Sequence, residues 1–472
     1  MTITDVRDCL FARPIDDQLF VCASGLVTVG DAEALINELT TRLPEAHHVM
    51  NLCTERHHFL LTFAAIIAAG KINLLPPNRQ PDTLAELAGR FDDVGLVHDG
   101  DDQRVCADGR ALDIRGVLGE DLHARLGSIP AAVSRPHAER EAVAAISFTS
   151  GSTGVPRANI KTWGMLADGT KINATAMFEG SPPGMSLLAT VPPQHMYGLE
   201  LSVLLPMRMD LCIHVGQPLF PADVVSALAA MSSPRALVTT PAHLRSLMAS
   251  VEQPPSVERV FSATAPLDER LAEQAEQAFG GELLEIYGCS EVGSIACKRS
   301  AHETSWRVFD GLELVEATAI DGSTGDFRIA AEHLSEIAEL QDRLKLTAPN
   351  RFRLLGRRED LLNIAGKRGS LAEINRRLLA IDGVIDGVAF QPADARLAAV
   401  VVAPDLNRRD VLDALRQSLD PVFLPRPLVF VECLPRQASS KLRKRDLLAL
   451  LEGQGAEAPR SMRLDLRRRG SK

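Results

Sequence analysis

The chain has 472 residues, 46% hydrophobic and 24% charged, which is ordinary globular composition and enough for two or three domains with sizeable cores. A net charge of −10 argues against a nucleic-acid partner held by bulk electrostatics. The eight cysteines show no paired spacing and no Cys-x-x-Cys, which argues against a disulfide framework or zinc ribbon and fits a reducing cytoplasm.

The first residues, MTITDVRDCLFARPIDD, lack an apolar signal region after a basic start. The apolar run FLLTFAAIIAAG at 59–70 is shorter than the ~20 residues of a membrane span and reads as a buried helix. A soluble, cytoplasmic protein without a membrane span is expected. His47-His48 and His57-His58 have no accompanying acids or cysteines and read as structural.

From Val143 onward, short β-rich runs alternate with helical stretches. AVAAISFT, MSLLATV, DLCIHV, RALVTT, VERVFS and ELLEI read as strands. PADVVSALAAM, PAHLRSLMAS and PLDERLAEQAEQAF read as helices with proline at or near the start. This alternation predicts an α/β region of mostly parallel sheets flanked by helices, with ligands outside the carboxyl ends of the strands. Past Gly356 the runs GVIDGVAF, RLAAVVVA and PLVFVE around one helix, NRRDVLDALRQSL, suggest a small α+β domain. The expected division is 1–356, 357–455, and a polar tail at 456–472 that ends basic.

After the strand AVAAISFT comes Thr149-Ser150-Gly151-Ser152-Thr153-Gly154-Val155-Pro156-Arg157. Two glycines let backbone N–H groups converge on an anion, and four hydroxyls can donate further hydrogen bonds. The segment is not a Walker A motif, since GxxxxGK[ST] is absent. Alone, it fits a phosphate loop or a flexible Ser/Gly turn equally well.

The segment resembles the TSGSTGxPK signature of the acyl-adenylate-forming superfamily, which includes acyl-CoA synthetases, aryl-CoA ligases, peptide-synthetase adenylation domains and firefly luciferase; Arg157 replaces the lysine. Further signatures follow in order. Pro193 to Gly198 resembles a His-x-x-Gly motif, Ser262 to Leu267 resembles the adenine loop, and Tyr287-Gly288-Cys289-Ser290-Glu291 is similar to YGxTE. Asp342 stands at the aspartate of a Gly-Asp pair, with Gln341 for the glycine. Gly356 to Asp360 is similar to GRxDD, Gly366-Lys367-Arg368 to Ile374 resembles GxR…EI, and Pro435 to Lys441 resembles PRTxxGK with Ser440 for glycine. The similarity covers about 143–447 and is faint before that.

The resemblance implies ATP-dependent activation of a carboxylic acid to an acyl-adenylate, followed by transfer to a thiol. It implies that Thr149, Ser150, Gly151, Ser152, Thr153 and Gly154 clasp the outer phosphates of ATP, and that Glu291 holds Mg²⁺. Ser290 would contact the α-phosphate. Tyr287, with Gly288 beside it, would stack on adenine opposite Thr264, Ala265 and Pro266, and Glu285 would accept from the adenine amine. Asp342 and Arg357 would hold the ribose. Lys441 would neutralise the attacking carboxylate and the α-phosphate; by itself it sits in a basic run, KLRKR, that reads as solvated surface. Glu359 stands at the hinge, and Gly366, Lys367 and Arg368 would approach on the thiol side.

His195, Tyr197, Ser262, Val292 and Gly293 would line the acyl pocket, His195 at its junction with the thiol. Lys161 and Trp163, just past the phosphate loop, carry no assigned role; the tryptophan fits a pocket wall or helix packing equally. KTW, KRGSLAEIN and the short N-terminal region resemble ligases of aryl-polyene and xanthomonadin-type pigment clusters, implying 4-hydroxybenzoate or a similar aryl acid loaded onto an acyl carrier protein. A fatty acid loaded onto coenzyme A, or a degenerate nucleotide-binding scaffold, are the alternatives. Arg436, Lys441, Arg443, Lys444 and Arg445 form a basic patch suited to an acidic carrier or to coenzyme A phosphates.

Overall fold

The structure is a computed structural model and describes residues 7–22, 25–100, 110–119, 122–128, 134–150, 156–179, 181, 184–319, 324–357, 361–364, 367–392, 396–436 and 442–452. The chain separates into two units, 1–358 and 359–472.

Among its described residues the first unit contains a six-stranded sheet in the order 156–162, 143–150, 72–75, 48–52, 94–98 and 111–113. Pro156–Thr162 runs antiparallel to Val143–Ser150, and the other neighbours are parallel. The apolar run at 59–70 lies within helix Arg56–Ala68, with Phe59, Leu60, Leu61 and Phe63 fully buried. Among the described residues, no helix is long and apolar enough to cross a membrane.

That helix starts earlier than its apolar run because two polar residues anchor it. Asp99, just past strand Val94–His98, accepts from Thr54 N at 2.7 Å, Glu55 N at 2.8 Å and Thr54 Oγ1 at 2.7 Å, and contacts His58 Nδ1 at 3.1 Å. A carboxylate from a distant strand thereby caps the helix N-terminus. Arg56, fully buried, donates to Ala189 O at 3.0 Å, Val191 O at 2.7 Å and Ser202 Oγ. Burial pushes its guanidinium down to about 10. The helix cap therefore fixes the guanidinium that holds the chain entering Pro192–His195.

Among the described residues the second sheet has thirteen strands. From 18–22 through 211–214, 185–189, 235–239 and 259–262 to 282–289 the neighbours are parallel, as the βα alternation predicts. Leu188, Leu237, Val260 and Leu283 pack against helices Pro221–Ala230, Pro241–Ser250 and Glu269–Phe279 on one face. Leu187, Val238, Phe261 and Ile286 fill a core with Phe178 on the other. Burial on both faces explains why these strands read as unbroken apolar runs. Beyond 282–289 the sheet continues antiparallel through 293–298, 306–308, 351–357, 338–348, 324–331 and 312–319. Helix Trp163–Phe178 joins the two cores, with Trp163 and Leu166 in one and Met177 and Phe178 in the other.

In the second unit, strands Asp386–Phe390, Ala398–Val402 and Leu428–Phe430 form a sheet, the first pair antiparallel and the second parallel. The expected helix forms at Arg408–Arg416, capped by Asn407 and Asp410. Two further helices, Leu371–Leu379 and Lys444–Glu452, and a hairpin of Leu361–Ile364 with Lys367–Ser370 add to the single helix expected.

Burial alone would raise the Asp99 pKa, yet hydrogen bonds from His58, Thr54 and Glu55 outweigh it and hold the carboxyl well below its ordinary value. A folded pKa below the unfolded one gives stability that is complete above about pH 4 and is lost as pH falls toward the folded value. Asp99→Asn is expected to lower the unfolding free energy at pH 7 by about 2 kcal/mol in urea titrations, with the gap to wild type narrowing below about pH 4.

Candidate active site

Strands Glu282–Cys289 and Gly293–Lys298 form an antiparallel hairpin in which Cys289 faces Gly293, so Ser290, Glu291 and Val292 are its turn. Glycine is needed on both flanks. A Cβ at Gly288 would lie 2.3 Å from Gly293 O, and one at Gly293 would lie 2.2 Å from Glu200 Oε1. Gly293 also has φ +103°, a conformation side chains resist.

Glu200 opens a π-helical turn, Glu200–Leu204, that continues helix Met196–Leu199. Its buried carboxylate accepts from Ser294 N at 3.1 Å and Ser294 Oγ at 2.7 Å, and burial raises its pKa. Lys161, 3% exposed on strand Pro156–Thr162, donates from Nζ to the backbone carbonyl of Glu291. Burial lowers its pKa, and nearby Glu200, Cys289 and Glu291 work against that. Two buried side chains from different elements thus grip one turn.

The Glu291 carboxylate is half-buried and hydrogen-bonds to no described residue. An unengaged oxygen pair fits a hard cation. Among the described residues no cluster of three or more His, Cys, Asp or Glu could hold a metal alone. One carboxylate completed by phosphate oxygens and water is an arrangement Mg²⁺ uses.

Tyr287 is 8% exposed, its ring centroid 5.7 Å from Trp306 and 5.6 Å from Phe352. Its hydroxyl donates to Asp342 Oδ2 at 2.8 Å, and Asp342 stands opposite Arg357 across the strand pair. The hydrogen bond brings two sequence-predicted residues, 55 positions apart, to one point. Glu285, expected to meet an adenine amine, is occupied within the protein. It accepts from Leu267 N at 3.0 Å and Ser300 Oγ at 2.7 Å and pairs with Lys298 Nζ at 3.0 Å. Its visible work is to fix the turn carrying Thr264, Ala265 and Pro266. Thr264 has φ +80°, strained for a β-branched residue, and is exposed.

The carboxyl ends of the parallel strands supply a polar cluster missed by sequence reasoning. Thr190 Oγ1 lies 3.0 Å from Thr239 Oγ1 and from His243 Nδ1, and Tyr197 donates to Thr239 O at 3.2 Å. Ser262 is fully buried and its Oγ has no partner among the described residues. His195 occupies the N-cap position of Met196–Leu199 and is half-buried. Trp163 is fully buried in the core with Phe59 and Phe63, so of its two readings helix packing holds.

Thr149 and Ser150 end strand Val143–Ser150 opposite Arg157 and Pro156. Gly151, Ser152, Thr153, Gly154, Glu359, Gly366 and Lys441 lie outside the described residues. Lys367 and Arg368 begin the second strand of the 361–370 hairpin. In the basic patch, Arg436 is committed to Asp386, with contacts of 2.7 and 2.6 Å.

The family model for AMP-binding enzymes matches residues 27–317, well over half of the chain and far upstream of the 143 at which similarity was expected to begin. A 4-coumarate–CoA ligase from Rhodobacter capsulatus is 29% identical over 66% of this chain and 77% of its own. A 4-chlorobenzoate–CoA ligase from a Pseudomonas species is 23% identical over 81% of each chain. The solved structure of an anthranilate CoA ligase in complex with anthranoyl-AMP superposes with a TM-score of 0.77 at 16% identity, covering 92% of this chain and 94% of that one.

Gly293→Ala combines a strained φ with a carboxylate in the way, whereas Gly280 has φ +73° and open space around its Cβ position. Gly280→Ala is expected to cost about 1 kcal/mol and Gly293→Ala about 3 kcal/mol in urea unfolding. Equal costs would mean that Glu200 yields without resistance.

Proposed function

The chain belongs to the AMP-binding enzymes and is an AMP-forming acid–thiol ligase, and we propose that it activates an aryl carboxylic acid, a hydroxybenzoate above all. The acid's carboxylate oxygen attacks the α-phosphorus of ATP and pyrophosphate leaves. A thiol then attacks the acyl carbonyl and AMP leaves. The observation that carries this reading is Glu291, whose carboxylate meets no described residue on a turn held by Lys161 and Glu200, in the same segment as the Tyr287 that donates to Asp342.

Within it, residues 149–154 cradle the outer phosphates, and Ser290 meets the α-phosphate. Glu291 would hold Mg²⁺, which would draw charge from the phosphate oxygens. Tyr287 and the 264–266 turn border the adenine, while Asp342 and Arg357 face the ribose. Because the Glu285 carboxylate is spoken for by Leu267, Ser300 and Lys298, it supports the adenine turn from beneath. Lys441 supplies the cation for the first half-reaction. The region around Glu359 would pivot to exchange it for Gly366, Lys367 and Arg368. His195, Tyr197, Ser262, Val292 and Gly293 bound the acyl pocket, which suits a flat ring. The similarity to 4-coumarate–CoA and 4-chlorobenzoate–CoA ligases supports an aryl substrate. An acyl carrier protein of the pigment-cluster kind is the acceptor proposed, recognised by the cations at 443–445.

Carboxylate-dependent ATP–pyrophosphate exchange across aryl and fatty acids tests the first half-reaction. Lys441→Ala is expected to lower the exchange rate with the best acid by about 10³-fold. Exchange that survives the substitution removes Lys441 from the mechanism. Exchange with fatty acids alone removes the aryl assignment. Thioester formation on a holo carrier protein compared with coenzyme A then decides the thiol.

A further inference from the structure

Lys298 takes no part in the reaction above, yet it stands between the two walls assigned to the nucleotide. It faces Glu285 across the antiparallel pair of strands Glu282–Cys289 and Gly293–Lys298, with its Nζ 3.0 Å from Glu285 Oε2. The same ammonium lies 4.9 Å from the centre of the Trp306 ring. Among the described residues these are its two partners.

Each partner leads to a different wall. Glu285 accepts from Leu267 N at 3.0 Å, directly after the 264–266 turn that borders the adenine. The Trp306 ring lies 5.7 Å from that of Tyr287, whose hydroxyl donates to Asp342 on the ribose side. Phe352, stacked on Trp306 and 5.6 Å from Tyr287, completes the aromatic group.

Stability alone does not call for a charge here. The Lys298 side chain is 17% exposed and that of Glu285 5%, so desolvation offsets much of their attraction. Glu285 already has Leu267 N and Ser300 Oγ as donors, and an apolar side chain of the same length would cover Trp306 equally. What the ammonium adds is direction, because one charge draws a carboxylate and a ring face toward the same point.

We infer that Lys298 is a positioning residue for the nucleotide, tying the adenine turn to the Tyr287–Asp342 wall, an inference that rests on the acid–thiol ligase reading. Without it, the Leu267 hydrogen bond and the Tyr287 ring lose their common reference and ATP is held less firmly. The residues assigned to the acyl pocket do not include Lys298 or either of its partners.

Carboxylate-dependent ATP–pyrophosphate exchange with the full chain tests it, with ATP and the acid varied in turn. Lys298→Met is expected to raise KM for ATP about tenfold, while KM for the acid and kcat stay within about threefold of wild type. If that protein does not fold, Lys298→Gln is read by the same criteria. A general loosening of the fold would move both KM values together or kcat alone, and either result overturns the inference. A KM for ATP within about threefold of wild type overturns it as well. Tyr287→Phe removes the hydroxyl from Asp342. Combined with Lys298→Met, its effect on KM for ATP is expected to fall short of the product of the separate effects by about threefold or more. Effects that multiply in full mean that the walls are held separately, which also overturns the inference. All these results leave the ligase reading standing, since wild type exchanges in each. Wild type that exchanges with no acid overturns the ligase reading, and the inference falls with it.

Discussion

The site depends on a three-residue turn being held from outside itself. Ser290, Glu291 and Val292 connect two antiparallel strands in the middle of the sheet, and a turn of this length projecting from the strand ends has little of its own to rigidify it. Lys161 holds it through the Glu291 carbonyl, and Glu200 holds its exit through Ser294. Both grips are buried, so neither is diluted by water. Burying a lysine and a glutamate is not an efficient way to stabilise a fold, because desolvation offsets most of their attraction. What the arrangement supplies is position. The Glu291 side chain can stand clear of the other described residues because its backbone is fixed by groups that never touch its carboxylate.

The same division between position and chemistry recurs at the strand ends. Arg56 reaches from its helix to Ala189 and Val191, the last backbone carbonyls before the His195 segment. Asp99 in turn fixes the helix from which Arg56 projects. Glu285 does likewise for the 264–266 turn, accepting from Leu267 beneath the strained Thr264. In each place a buried charged side chain ties down backbone next to an exposed or half-buried residue.

Local patterns carried much of this into the sequence. The parallel strands showed as apolar runs because both faces are covered, and the proline-led helices showed by their first turns. Tyr287, Glu291 and Asp342 stood out because each belongs to a short contiguous signature. The antiparallel strands between 293 and 357 went unread, although 324–331 largely alternates half-buried and buried residues. Lys161–Glu291 and Glu200–Ser294 join residues 130 and 94 positions apart, and no local pattern encodes such a pairing. His243 had no signature either; its place beside Thr190 follows only from adjacent parallel strands. Upstream of 143 the chain lacks compact phosphate-binding motifs, so its membership there emerges only over a long alignment.

The glycines explain how two demands on one turn are met together. Any side chain at 293 would push Glu200 away from Ser294, and any at 288 would force the hairpin apart at Gly293. Clashes of this depth cost stability as well, because neither backbone at 293 nor a hydrogen-bonded Glu200 can move aside without losing contacts. A carboxylate that must present its oxygens to a cation at fixed distance does not tolerate such shifts, since displacement of about 1 Å costs roughly two orders of magnitude in rate. On the roles proposed for Ser290 and Glu291, the bare backbone at 288 and 293 serves that chemistry, and the buried acid at 200 holds the turn's exit in place.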